Sequence, residues 1–101
     1  MRVIKKQTLV RFWQSHPPAE PPLRTWLAIA SRATWHTPAD IKAFDRSASF
    51  VARNRIVFNI GGHRFRLIAC VAYDFQAMYI KFIGTHTEYD KIDAATVDME
   101  Y

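Results

Sequence analysis

Thr85-His86-Thr87-Glu88-Tyr89-Asp90 places an imidazole, a phenol and a carboxylate within five residues of one another. Thr-x-x-Glu is a capping-box pattern, so the segment reads as the opening of a short helix. On that helix Tyr89 and Asp90 follow His86 by three and four residues, which puts all three side chains on one side. A second group of polar residues lies upstream. Arg55 to Ile60 alternates polar and apolar residues, Gly61-Gly62 is a hairpin signal, and His63 to Ala72 reads as the return strand. A two-residue turn pairs His63 with Ile60, Arg64 with Asn59, Phe65 with Phe58 and Arg66 with Val57. Ile56, Phe58, Ile60, Phe65 and Leu67 then share a covered face, and Arg55, Asn59, Arg64 and Arg66 share the open one. Met78 to Ile83 reads as a further strand, with Ile80 and Phe82 covered and Tyr79 and Lys81 open.

Cations, imidazole and phenol on one wet face suit phosphodiester cleavage in RNA. A base takes the 2′-hydroxyl proton, cations stabilise the phosphorane and an acid protonates the leaving oxygen, with no metal needed. Each group also has a plainer reading. A histidine at a helix start is commonly a solvated or capping residue, Tyr89 can be a core ring with its hydroxyl at the rim, and Asp90 can pair with Lys91 or Lys81. Antiparallel sheets ordinarily keep one face charged and wet. Here, however, the charges selected by the alternation are all positive, while the acids gather in turns and the C-terminal tail.

The elements that must carry these groups fill 101 residues, which predicts one domain over 1–101. Half the residues are hydrophobic, with seven Phe, four Tyr and three Trp, enough to build a compact core. Net charge is +5, which favours polyanions: RNA, DNA or an acidic protein. The single cysteine, Cys70, allows no internal disulfide, and its apolar neighbours predict a buried, inert sulfur. Met1 to Lys6 contains no apolar stretch of signal-peptide length and no window reaches membrane-spanning length, so a cytoplasmic location is expected. His16, His36 and His63 show no zinc-ligand spacing, and no nucleotide-binding loop is present.

Met1 to Ile4 reads as a short strand, and Leu9, Phe12 and Trp13 predict a helix from about 6 to 14 that His16-Pro17-Pro18 stops. Glu20-Pro21-Pro22 opens a second helix with Leu23, Trp26, Leu27 and Ala30 on one face. Thr37-Pro38-Ala39-Asp40 caps a third helix over about 38–45, pointing Ile41 and Phe44 inward. The three tryptophans read as core, and the chain beyond about Val97 as frayed.

Val57-Phe58-Asn59-Ile60-Gly61-Gly62, then Arg66-Leu67, and above all His86-Thr87-Glu88-Tyr89-Asp90 resemble the HigB toxins of type II toxin–antitoxin modules, and the likeness spans most of the chain. The resemblance implies an α+β, RelE-like fold: a twisted antiparallel sheet with the N-terminal helices on one face and a short C-terminal helix. It also implies an endoribonuclease without a cofactor that cuts mRNA on the translating ribosome, and a HigA-like helix-turn-helix antitoxin as partner. Carried onto this chain, Arg66 would stabilise the cleaved phosphate, Lys81 would supply a second strand cation, and His86 and Tyr89 would act near the proton transfers. Asn59, Arg64 and Arg55 would bind RNA, and Asp90 would orient a neighbour. His63 departs from the asparagine common after the glycine pair, and the expected pairing turns it toward the helices. The same face would also serve a non-catalytic RNA- or ribosome-binding module, or a docking surface for an acidic protein.

Overall fold

The computed structural model describes residues 1–99. Strand β1 (Arg2–Ile4) leads into helix α1 (Lys6–Ser15), and a 3-10 turn at Pro17–Ala19 leads into α2 (Glu20–Arg32). Helix α3 (Pro38–Phe44) precedes β2 (Ser49–Val51), β3 (Arg55–Ile60), β4 (Phe65–Ala72), β5 (Ala77–Thr85) and helix α4 (His86–Tyr89). The architecture is α+β with the helices α1 and α2 against one sheet face, as expected of a RelE-like toxin. Prolines in their first turns start α2 and α3, where a missing N–H costs nothing. The Thr37–Asp40 capping box closes on α3 with both reciprocal hydrogen bonds in place.

Strand order is β1-β5-β4-β3-β2. The four strands from β2 to β5 form an antiparallel meander, and β1 joins β5 in parallel, which the α1 and α2 crossover permits. Leu9, Phe12 and Trp13 of α1 and Leu23, Trp26 and Ala30 of α2 bury themselves on Ile56, Phe58, Leu67, Met78, Ile80 and Ile83. All three tryptophans are core residues.

The opposite sheet face is not left bare. Val57, Ile68 and Phe82 form a second apolar cluster there, covered by Tyr89, Ile92, Ala94, Val97 and Met99. Arg55 fastens this cover: its guanidinium donates to the carbonyls of Ala94 and Val97, and the residue is 8% exposed. The expectation that Arg55 binds RNA is therefore corrected, because its charge is spent on backbone oxygens under the C-terminal segment. Asp98 and Met99 are also tied down, the latter through its N–H to the Lys81 carbonyl at 2.8 Å. Fraying was expected there; the rest of that expectation, residues 100 and 101, lies outside the described residues. Cys70 is half-buried rather than buried, with its sulfur 3.5 Å from the Arg53 carbonyl.

Two register details depart from the alternation. The β3–β4 loop is four residues, Gly61 to Arg64, so pairing begins at Ile60 with Phe65 and continues with Asn59 opposite Arg66. A two-residue turn would have put His63 opposite Ile60 on the covered face. The longer loop leaves His63 exposed and gives that place to Phe65, whose ring meets Phe12 edge-on at 5.6 Å. The slip is two residues, so every side chain keeps its face. In β5 a bulge pairs Ile68 with Phe82 but Ala69 with Ile80. Lys81 is the extra residue, and Phe82 passes to the second cluster instead of sharing the face of Ile80.

Replacing Arg55 by Met leaves two carbonyls without their charged donor, and should cost about 2 kcal/mol in urea unfolding while hydrogen exchange quickens over residues 94–97. Unchanged stability and exchange would show that the cover is held by its apolar contacts alone.

Candidate functional site

Three strands contribute one residue each to a transverse row: Asn59 on β3, Arg66 on β4 and Gly84 on β5. Two glycines in left-handed conformation, Gly61 at φ 62° and Gly62 at φ 70°, turn the chain just above it. The Arg66 guanidinium donates to the carbonyls of His63 at 3.0 Å and Phe65 at 3.4 Å. It also lies 5.9 Å from the centre of the Tyr89 ring. Among the described residues no acid pairs with it. A half-buried guanidinium held only by carbonyls and a ring keeps donors for an anion.

Helix α4 closes the row at the β5 end. Thr85 caps it, with the Glu88 N–H on the Thr85 hydroxyl at 3.2 Å and the Thr85 N–H on the Glu88 carboxylate at 2.8 Å. The His86 N–H also bonds the Arg64 carbonyl at 3.2 Å, which ties the helix start to the hairpin loop. His86 is exposed, and its Nδ1 lies 3.4 Å from an Asp90 carboxylate oxygen, one helical turn on. Tyr89 is half-buried: its ring sits 6.4 Å from that of Phe82 and 5.9 Å from the Arg66 guanidinium. Thus Tyr89 is both part of the second cluster and part of the site. Arg64 is exposed in the loop, its guanidinium 5.5 Å from the Phe65 ring. Asn59 is half-buried and donates weakly, at 3.4 Å, to the Ser47 carbonyl.

Lys81 does not join this group. Its ammonium pairs with Asp98 at 3.4 Å, and Asp98 pairs with Lys5 at 3.5 Å. Burial pushes the Asp98 carboxyl up, but attraction to Lys81 and then to Lys5, with their hydrogen bonds, outweighs this and holds it below the ordinary value of 3.8. Among the described residues no hydrogen bond, ion pair or ring contact joins Lys81 to Arg66, Tyr89 or His86. The bulge leaves Lys81 without a cross-strand partner on β4, so simple alternation along β5 does not place it.

Gly84 was missed by the reading of polar residues. A Cβ there would stand 2.5 Å from Phe82 Cζ and 3.2 Å from Glu88 Oε1. The missing side chain therefore makes room for the Phe82 ring and the Glu88 carboxylate over this end of the row. A glycine inside a strand is the signal that would have found it.

The family model described as the HigB toxin, RelE-like toxic component of a toxin–antitoxin system, matches residues 19–92. The chain belongs to the HigB toxin family. The match includes the whole Asn59–Arg66–Gly84 row and α4, and leaves out Lys5 and Asp98. Among HigB relatives, the mRNA interferase HigB of Escherichia coli O6:H1 is 27% identical over 94 residues, 91% of each chain. The mRNA interferase toxin HigB of Escherichia coli K12 is 47% identical over 34 residues, about a third of each chain. Among the described residues of this HigB-family chain, no helix is long and apolar enough to cross a membrane.

Gly84→Ala should lower stability by about 1–3 kcal/mol, because the new methyl displaces the Phe82 ring. Adding Phe82→Leu should restore part of that loss in thermal unfolding. If the single variant is as stable as the parent, the close approach of Phe82 is not a constraint.

Proposed function

We propose that this toxin is an mRNA interferase, an endoribonuclease whose working surface is the Asn59–Arg66–Gly84 row under α4. The observation that carries the reading is Arg66: a guanidinium against the Tyr89 ring, bound to carbonyls and to no acid among the described residues. A phosphate is the anion such a group is built to take, in bidentate fashion. His86, exposed and one turn from Asp90, has the chemistry of a proton acceptor or donor at that phosphate, and Tyr89 offers a hydroxyl on the same side.

In the proposed reaction the 2′-hydroxyl loses its proton to a base and its oxygen bonds the adjacent phosphorus. The P–O5′ bond then breaks and the leaving oxygen takes a proton, giving a 2′,3′-cyclic phosphate and a 5′-hydroxyl. Arg66 stabilises the charge that grows on the phosphorane. His86 and Tyr89 share the proton transfers, Asp90 orients the imidazole, and Asn59 and Arg64 position the strand. Lys81, neutralised by Asp98, contributes at most to the field at the sheet edge. The family description supports an antitoxin partner and the relatives' names support mRNA as substrate. Cleavage on the translating ribosome, a HigA-like antitoxin and a cytoplasmic location complete the proposal.

Purified protein added to a translation reaction should cut the message. Arg66→Ala should slow cutting about 10²–10³-fold and relieve growth arrest in cells without antitoxin, whereas Lys81→Ala should stay near the parent. Slowed translation with every message intact would replace the enzyme by a binding module on the same face.

A further inference from the structure

Two ammonium groups from distant parts of the chain meet at one carboxylate. Lys5, between β1 and α1, reaches Asp98 Oδ1 at 3.5 Å, and Lys81 of β5 reaches Asp98 Oδ2 at 3.4 Å. Each carboxylate oxygen thus takes one cation. Lys5 stands at φ 70°, a left-handed conformation that favours glycine and is strained for a lysine. The acid comes from the C-terminal segment, beyond residue 92, where the family match ends.

We infer that Lys5 and Lys81 form a site for a phosphate of the RNA strand, other than the phosphate that reacts, and that Asp98 fills this site in the free protein. The inference rests on the reading above that RNA is the substrate, and adds to it a second phosphate contact with a competitor built into the chain. A phosphodiester shares one negative charge between two unesterified oxygens, the same pair of acceptors that a carboxylate offers. With neither anion in place the two ammonium groups would repel each other. Asp98 is an occupant that RNA can displace: its side chain is 45% exposed and that of Lys5 42%, and exposed ion pairs hold weakly. The segment keeps its other ties when the carboxylate leaves, namely the Met99 N–H on the Lys81 carbonyl and Arg55 on the carbonyls of Ala94 and Val97.

The acid sits on the sheet face that carries Arg66. Val97 and Met99, on either side of Asp98, cover Val57, Ile68 and Phe82. Ile68 follows Arg66 by two residues on β4, so their side chains share that face. Lys81 is three residues along β5 from Gly84, the cross-strand partner of Arg66, a span of about 10 Å. One strand of RNA running along β5 meets both places.

The test is affinity against salt concentration for a short single-stranded RNA with 2′-O-methyl sugars, which cannot form a cyclic phosphate. Asp98→Asn should tighten binding about three- to tenfold at low salt and steepen the log–log salt slope by about one. Lys81→Ala should cost less in the parent than in the Asp98→Asn background, where it should remove the gain. Asp74→Asn makes the same charge change in the turn between β4 and β5, and should leave affinity and slope near the parent's. Equal affinities and slopes for the parent and Asp98→Asn overturn this inference alone, and so does a gain that Asp74→Asn matches. A gain that survives Lys81→Ala also overturns it, because it would come from loosening of the segment. A parent that binds no RNA at any salt concentration removes the RNA reading and the inference together.

Discussion

The pairing of Arg66 with Asn59 on one side and Gly84 on the other is the constraint on which the site depends. Strand side chains alternate, so a slip of one residue would drive Arg66 into the layer where Phe65, Leu67 and Ile83 meet the helices. A guanidinium buried there without a partner costs several kcal/mol, far more than a hairpin turn can recover. The apolar set therefore enforces the polar set. Phe65 against Phe12 and Leu67 in the core hold Arg66 to the other face as firmly as any contact it makes itself.

What remains available on that face is decided by competition among cations. Arg55 is taken by the carbonyls of the C-terminal segment, and Lys81 by Asp98. The segment that consumes them also buries Val57, Ile68 and Phe82 and brings Tyr89 over the sheet. Arg66 is spared because the groups nearest its guanidinium are carbonyls and an aromatic ring. One stretch of chain thus stabilises the fold, positions the phenol and engages both Arg55 and Lys81.

Much of this was readable from the residues. The proline-led helices, both capping boxes and the sidedness of Ile56, Phe58, Ile60, Phe65 and Leu67 follow from local chemistry and alternation. Arg64, Arg66, His86, Tyr89 and Asp90 could be singled out by type and spacing, and the structure brings them to the hairpin end around α4. Lys81 and Phe82 could not be placed, because a bulge inserts a residue without leaving a mark in composition. Arg55 escaped for another reason: its partners lie 39 and 42 residues away, in a tail with little periodicity. Gly84 was visible as a glycine in a strand, but its meaning depends on where the Phe82 ring goes.

Binding of an RNA that cannot be cut, with a 2′-deoxy sugar at the mapped cleavage position, tests directly whether Arg66 holds the reacting phosphate. Affinity is to be measured against salt concentration for the parent and for Arg66→Ala. The account predicts weaker binding for the variant at low salt and a log–log salt slope smaller by about one, the signature of one lost phosphate contact. Identical affinities and identical slopes would contradict it.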